Sequence, residues 1–272
     1  MQKVIAGNYF TDSKQKALEV YAQINKKDSG YLLSVFKNET LDYHVRESAA
    51  SLLEPKMGMK EAYALLNIFS SDTEDNKIRS YAAYSLTNFI LKNRENPALR
   101  IKVKNLEKKT TDAFTNLIST KNLIIKPGFY NDPKFYHLTQ ADAISCLCDL
   151  ADGNKDKKEA AFRTLGKVLD NAGQYSINPL TAAISSIIEL DGKKALPRLK
   201  NAQAALVKYN PASGNRIPHE DFMHPIVSSY GGIYSEIAER ISSIEAKYPT
   251  KNSSVKNNSR AAQNEQRTLL PR

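Results

Sequence analysis

Cysteine is nearly missing from this chain of 272 residues, which holds only Cys146 and Cys148. They stand two apart in what reads as a helix, where neighbours at that spacing point to different faces, so they cannot bridge each other or staple a fold. Long apolar runs are missing too. No stretch approaches the ~18 apolar residues of a membrane-spanning helix, and residues 1–7 lack the apolar block of a secretory signal. The expectation is a protein with no membrane insertion and, by default, a cytoplasmic location. Gly-rich phosphate loops of the Walker or dinucleotide type, a Ser elbow, Cys-x-x-Cys and His-Glu-x-x-His are all absent, and each absence removes a class of chemistry. The chain is therefore expected not to be an enzyme and to use no catalytic group, cofactor or metal.

What is present is an ordinary globular composition, 41% hydrophobic and 25% charged, enough to bury a core without staples. Positive charge dominates, with 39 Lys and Arg against 29 Asp and Glu and a net charge of +10. Clustered cations neutralise phosphates, so such an excess invites a nucleic-acid reading. Its location weakens that reading. Residues 1–250 carry a net +6, and residues 251–272 alone carry +4. Of the basic residues 28 are Lys and 11 are Arg, whereas phosphate and base-edge recognition favours the planar guanidinium. The one local cluster in the body is Arg100, Lys102, Lys104, Lys108 and Lys109, broken by Glu107. It reads as a solvated helix face or, in the alternative, as part of a nucleic-acid surface together with the basic tail.

Helical periodicity runs from Thr11 to about Lys247, with turn signals every 10 to 20 residues and almost no period-2 alternation. The first helix is expected near Asp12–Lys26 with Ala17, Tyr21 and Ile24 on one face, and Asp28-Ser29-Gly30 ends it. A repeat follows. Residues 42–53, from Asp42 through Val45, Arg46, Ala49, Ala50 and Leu53, recur 33 residues later as Asp75, Ile78, Arg79, Ala82, Ala83 and Leu86. Asp at the head can cap the helix. Val45 or Ile78 begins a buried stripe that continues through Ala49 or Ala82 to Leu53 or Leu86, and the paired alanines let a neighbouring helix approach closely. A decayed copy is Gln140-Ala141-Asp142-Ala143-Ile144, with Gln140 at the Arg position; a further copy around Ala183 has Leu180 there.

These residues, with Ala195-Leu196-Pro197-Arg198-Leu199 as the second-helix pattern after a turn at Asp191-Gly192, resemble the HEAT repeat in its short bacterial form, also found in phycobilisome-lyase-like proteins. The resemblance covers roughly residues 40–210. It implies an all-α fold, a right-handed helical-hairpin solenoid of about five hairpins plus a C-terminal capping helix, within a single domain at 1–248 followed by a disordered basic tail at 249–272. It further implies that Pro197 kinks the outer helix and that Arg46 and Arg79 tie hairpins together, Arg79 to Asp42 or to the adjacent turn. The closing helix, near Phe222–Lys247, is expected to bury Ile233, Ile237, Ile241 and Ile244. A DNA-repair glycosylase branch of this superfamily works with tryptophans in its groove, and this chain has no Trp.

Functionally the resemblance implies a non-catalytic scaffold or adaptor that binds another protein in its groove. Tyr81 and Tyr84 fall off the buried stripe on what should be the groove side, and Tyr is enriched at binding hot spots. By register Ser48 and Ser51 occupy the same places one repeat earlier, and Asp142 and Ser145 in the decayed copy. Two insertions, 123–136 and 210–225, interrupt the stack. The first carries Phe129, Tyr130, Phe135 and Tyr136, which read either as a protein-binding knob or as a cover over apolar surface. The second carries His219, Glu220, Asp221 and His224, whose spacing is poor for a metal site.

Overall fold

The computed structural model describes residues 1–26, 28–120, 136–207 and 225–249, with side chains from 139 onward in the third segment and from 230 onward in the fourth. Among these the secondary structure is entirely helical. The helices are α1 (Gln2–Ala6), α2 (Thr11–Ile24), α3 (Ser29–Lys37), α4 (Tyr43–Leu53), α5 (Met59–Phe69), α6 (Asn76–Asn93), α7 (Arg100–Ser119), α8 (Tyr136–Ala151), α9 (Lys155–Asp170), α10 (Ile177–Ala205) and α11 (Pro225–Lys247).

Short polar side chains decide where many of these helices start. The Asp28 carboxylate accepts from the Tyr31 N–H at 3.0 Å, Asp42 from His44 at 2.9 Å, and Asp75 from Lys77 at 2.8 Å. Asn154 accepts from Lys157 at 3.0 Å. Each satisfies an N–H that the first helical turn leaves without a partner. Between α8 and α9 the chain reverses through Gly153, whose φ of 73° suits a residue without a Cβ.

Helices α1 and α2, α3 and α4, α5 and α6, α7 and α8, and α9 and α10 pack as pairs. The second members also pack in succession, α2 on α4, α4 on α6, α6 on α8 and α8 on α10, while α3, α5, α7 and α9 form a parallel file of outer members. The core runs between the two files through Val45, Ala49, Leu53, Ile78, Ala82, Leu86, Ile144 and Leu147. The alanine positions are fully buried, as helix-on-helix approach requires. At the end of the chain α11 packs on α10 and buries Ile233, Ile237, Ile241 and Ile244, and the Tyr230 hydroxyl donates to the Tyr175 carbonyl at 2.6 Å.

Side chains at the Arg position of the repeat hold each pair together. Arg46 Nε donates to the Phe36 carbonyl and Arg79 Nε to the Phe69 carbonyl, both at 2.8 Å. Gln140, in the decayed copy, donates to the Leu117 carbonyl at 2.9 Å and the Thr120 carbonyl at 2.7 Å. In all three cases the acceptor closes the preceding outer helix, whose last carbonyls have no intrahelical partner. Arg79 thus reaches the adjacent turn, with Asp72 at 3.9 Å, rather than Asp42. Arg46 reaches forward as well, to Glu74 at 2.7 Å. In α10 the equivalent Leu180 is fully buried, and packing stands in for the polar clasp.

Two expectations are corrected. Ile24 is 65% exposed and Leu18 takes its place on the buried face with Tyr21 and Ala22; α2 ends at Ile24, which falls off the stripe that runs 18, 21, 22. Second, Glu107 does not interrupt the basic face of α7. It points inward, 5% exposed, and accepts from Arg94 at 2.7 Å and Lys157 at 2.6 Å. The turn expected at Asp191-Gly192 is present as a break in α10 at Asp191, with φ −164° and ψ 91°, where Asp191 accepts from the Lys194 N–H at 3.1 Å, and Pro197 lies inside the helical stretch that follows.

Arg79 is only 2% exposed, so Arg79→Ala removes a fully packed side chain and leaves the Phe69 carbonyl without its donor. It should cost about 3 kcal/mol in urea denaturation. The exposed Arg163→Ala should leave the midpoint in place.

Candidate functional site

Because the clasps fix how each second-member helix is rotated, one face of α4, α6, α8 and the first half of α10 lines up across the molecule. Hydrogen bonds stitch it from helix to helix. Gln15 Nε2 on α2 donates to Ser48 Oγ at 2.8 Å. The Tyr81 hydroxyl on α6 donates to the Glu47 carboxylate on α4, and Asn88 Nδ2 donates to Glu54 at 3.1 Å. The Tyr84 hydroxyl donates to Asp142 Oδ1 on α8 at 2.7 Å.

Most of the residues singled out by register therefore meet on this face. Tyr84 and Asp142, 58 positions apart in the chain, are in direct contact. Tyr84 is 41% exposed and Leu91, two turns along the same helix, is 38% exposed, so α6 presents an apolar stripe to solvent. Tyr81 is half-buried. Ser48 and Ser145 are half-buried, Ser51 is exposed, and the hydroxyls bond the carbonyls of His44, Ala141 and Glu47 of their own helices. Phe129, Tyr130 and Phe135, the side chain of Tyr136, the cluster His219, Glu220, Asp221 and His224, and the tail at 250–272 lie outside the described residues.

Sequence reasoning missed the acidity of the face. Glu47 and Glu54 on α4, Asp142 and Asp149 on α8, and Glu189 on α10 stand along it, and neither α8 nor residues 177–190 contain any Lys or Arg. The signal was available, because Asn88, Asp149 and Glu189 all sit nine residues after the clasp position of their repeats. Electrostatics follow from this crowding. Partial burial raises the Asp149 pKa above its ordinary 3.8, and the nearby charges of Asp152 and Glu189 raise it further. Burial also pushes Tyr81 up to about 12, helped by its bond to Glu47. Tyr84 is raised for the same reasons, burial first and then Asp142. Both hydroxyls stay protonated donors at neutral pH.

Comparison with protein-family models, curated proteins and solved structures returns no match. The chemistry of the face therefore has to speak for itself. Among the described residues no group of three or more His, Cys, Asp or Glu could hold a metal ion. Burial pushes the thiol of Cys146 up to about 12 and that of Cys148 up to about 11, far from the thiolate a nucleophile needs.

The basic cluster lies elsewhere, on the outer file. Arg100, Lys102, Lys104, Lys108 and Lys109 are all exposed on α7, and Lys109 Nζ stands 5.5 Å from the centre of the Tyr63 ring. The α7 row of cations is thus on a different helix file from the carboxylates of Glu47, Glu54, Asp142, Asp149 and Glu189.

The raised Asp149 pKa has a stability consequence of definite sign. Ionised Asp149 costs more in the folded than in the unfolded chain, so Asp149→Asn should raise Tm at pH 7. That gain should shrink as pH falls through the raised folded value and vanish below about 3.8, where the carboxyl is protonated in both states. Thermal melts from pH 7 to 3 check it.

Proposed function

We propose that this chain is a non-catalytic protein-binding scaffold or adaptor. In this reading its paired helices form a HEAT-like solenoid, and the face of α4, α6, α8 and α10 is the concave groove. The observation that carries the reading is the row of interhelical hydrogen bonds that brings Tyr81 to Glu47 and Tyr84 to Asp142. It holds two tyrosines rigid while leaving Tyr84 and Leu91 exposed, the combination of apolar area and fixed donors found at protein-binding hot spots. Exposed apolar groups grouped on one face mark interaction surfaces.

A second reading has its own observation. With Glu107 turned inward, the exposed surface of α7 from Arg100 to Lys109 carries five cations and no acid, a surface able to neutralise phosphates. The two readings separate by position. A photocrosslinking residue at Leu91 should capture a protein from an extract of the source cell, resistant to nuclease, and the capture should disappear when Tyr81→Ala/Tyr84→Ala is added while far-UV helicity holds. Crosslinking only from Lys104, lost on nuclease treatment and after charge reversal at Lys102, Lys104 and Lys108, would transfer the function to the basic helix.

A further inference from the structure

Resting on the reading of the α4–α6–α8–α10 face as a protein-binding groove, we infer that its occupant is one extended peptide segment with an apolar residue flanked by Lys or Arg. The face supplies two independent demands. On α6 the exposed stripe of Tyr84 and Leu91 calls for an apolar side chain, because covering exposed apolar surface is favourable in proportion to its area. On either side stand carboxylates, Glu47 and Glu54 on α4, Asp142 and Asp149 on α8, and Glu189 beyond on α10, and the cation on the Tyr84–Leu91 line of α6, Lys77, lies at the start of the helix over the Tyr43 ring at 4.1 Å. Burial first, and then the charges of Asp152 and Glu189, raise the pKa of the Asp149 carboxyl, so its ionised form is favoured by an added cation. Phosphate-bearing partners are repelled by the same carboxylates, so the occupant is a peptide rather than a nucleic acid.

The helix spacing turns these demands into a sequence pattern. Packed helices stand about 8–10 Å apart, and an extended chain advances about 3.3 Å per residue, so a segment crossing the face spends about three residues on each helix. A cation over α4 is then followed three residues later by an apolar group over α6, three later by a cation over α8 and three later by a cation over α10. The aliphatic stems of Lys and Arg can lie along the tyrosine rings while the heads meet the carboxylates.

The test uses the full chain and a fluorescent dodecapeptide with Arg, Leu, Arg and Arg at every third position and Ser and Gly between them. A control has the same composition with its three Arg adjacent. The spaced peptide should bind at least fivefold tighter than the control. Asp142→Asn/Asp149→Asn should weaken it about tenfold or more, and Tyr84→Ala should weaken it comparably. Asp149→Asn alone is expected to raise Tm, so weaker binding of that single variant is not a folding defect. Equal binding of the two peptides, or binding indifferent to Asp142 and Asp149, overturns the inference. If the peptide fails while a crosslinker at Leu91 still captures a protein, the groove stands and the basic occupant falls; if both fail, the groove falls with it. Binding seen only after Lys251, Lys256, Arg260, Arg267 and Arg272 are changed to Gln would make the chain's own tail the occupant and overturn the claim of a separate partner.

Discussion

A helix that ends inside a protein leaves its last carbonyls without partners, and the rest of this molecule depends on how those carbonyls are met. Arg46 reaches Phe36, Arg79 reaches Phe69 and Gln140 reaches Leu117 and Thr120, always from the same position of the following helix. A long donor anchored at one end and a carbonyl at the other fix two things together, the angle within a helix pair and the rotation of the second helix about its axis. Once that rotation is fixed three times over, the residues two and five places after the clasp point the same way in every pair. Ser48 and Ser51, Tyr81 and Tyr84, and Asp142 and Ser145 share a face for that reason.

The face then acquires a character that the whole chain does not have. A protein with a net charge of +10 sets a row of carboxylates, Glu47, Glu54, Asp142, Asp149 and Glu189, along this face and a row of cations from Arg100 to Lys109 on α7. The two tyrosine hydroxyls spend their protons on Glu47 and Asp142, which ties α4 to α6 and α6 to α8 while leaving other carboxylate lone pairs open. Partial burial of Asp149, and then its neighbouring acids, oppose stability. Local features that oppose stability without local compensation concentrate at functional surfaces.

Much of this was legible in the sequence because a repeat makes positions comparable. The 33-residue register gave the clasp residues, the buried Ala49 and Ala82 stripe and the outward tyrosines, and it survived in Gln140, where a neutral amide does the work of the arginine. Another feature was out of reach for a physical reason. That Glu107 turns inward depends on Arg94 and Lys157 arriving from other helices, 13 and 50 residues away. The break of α10 at Asp191, by contrast, was legible in the Asp191-Gly192 pair. The acidity of the face was legible too, since Glu47 and Glu54, and Asp142 and Asp149, each stand seven residues apart on one helix line.

The central claim is that the clasps set the register of the face. It is tested most directly by a pulsed electron-spin distance measurement between labels at Ser51→Cys and Ser185→Cys in a Cys148→Ser chain, with and without Gln140→Met. Those labels sit on α4 and α10, and the Gln140 clasp lies between them. The account predicts one narrow distance population that broadens when Gln140 can no longer hold the Leu117 and Thr120 carbonyls. An equally narrow population in both chains would contradict it, and would mean that apolar packing alone aligns the helices.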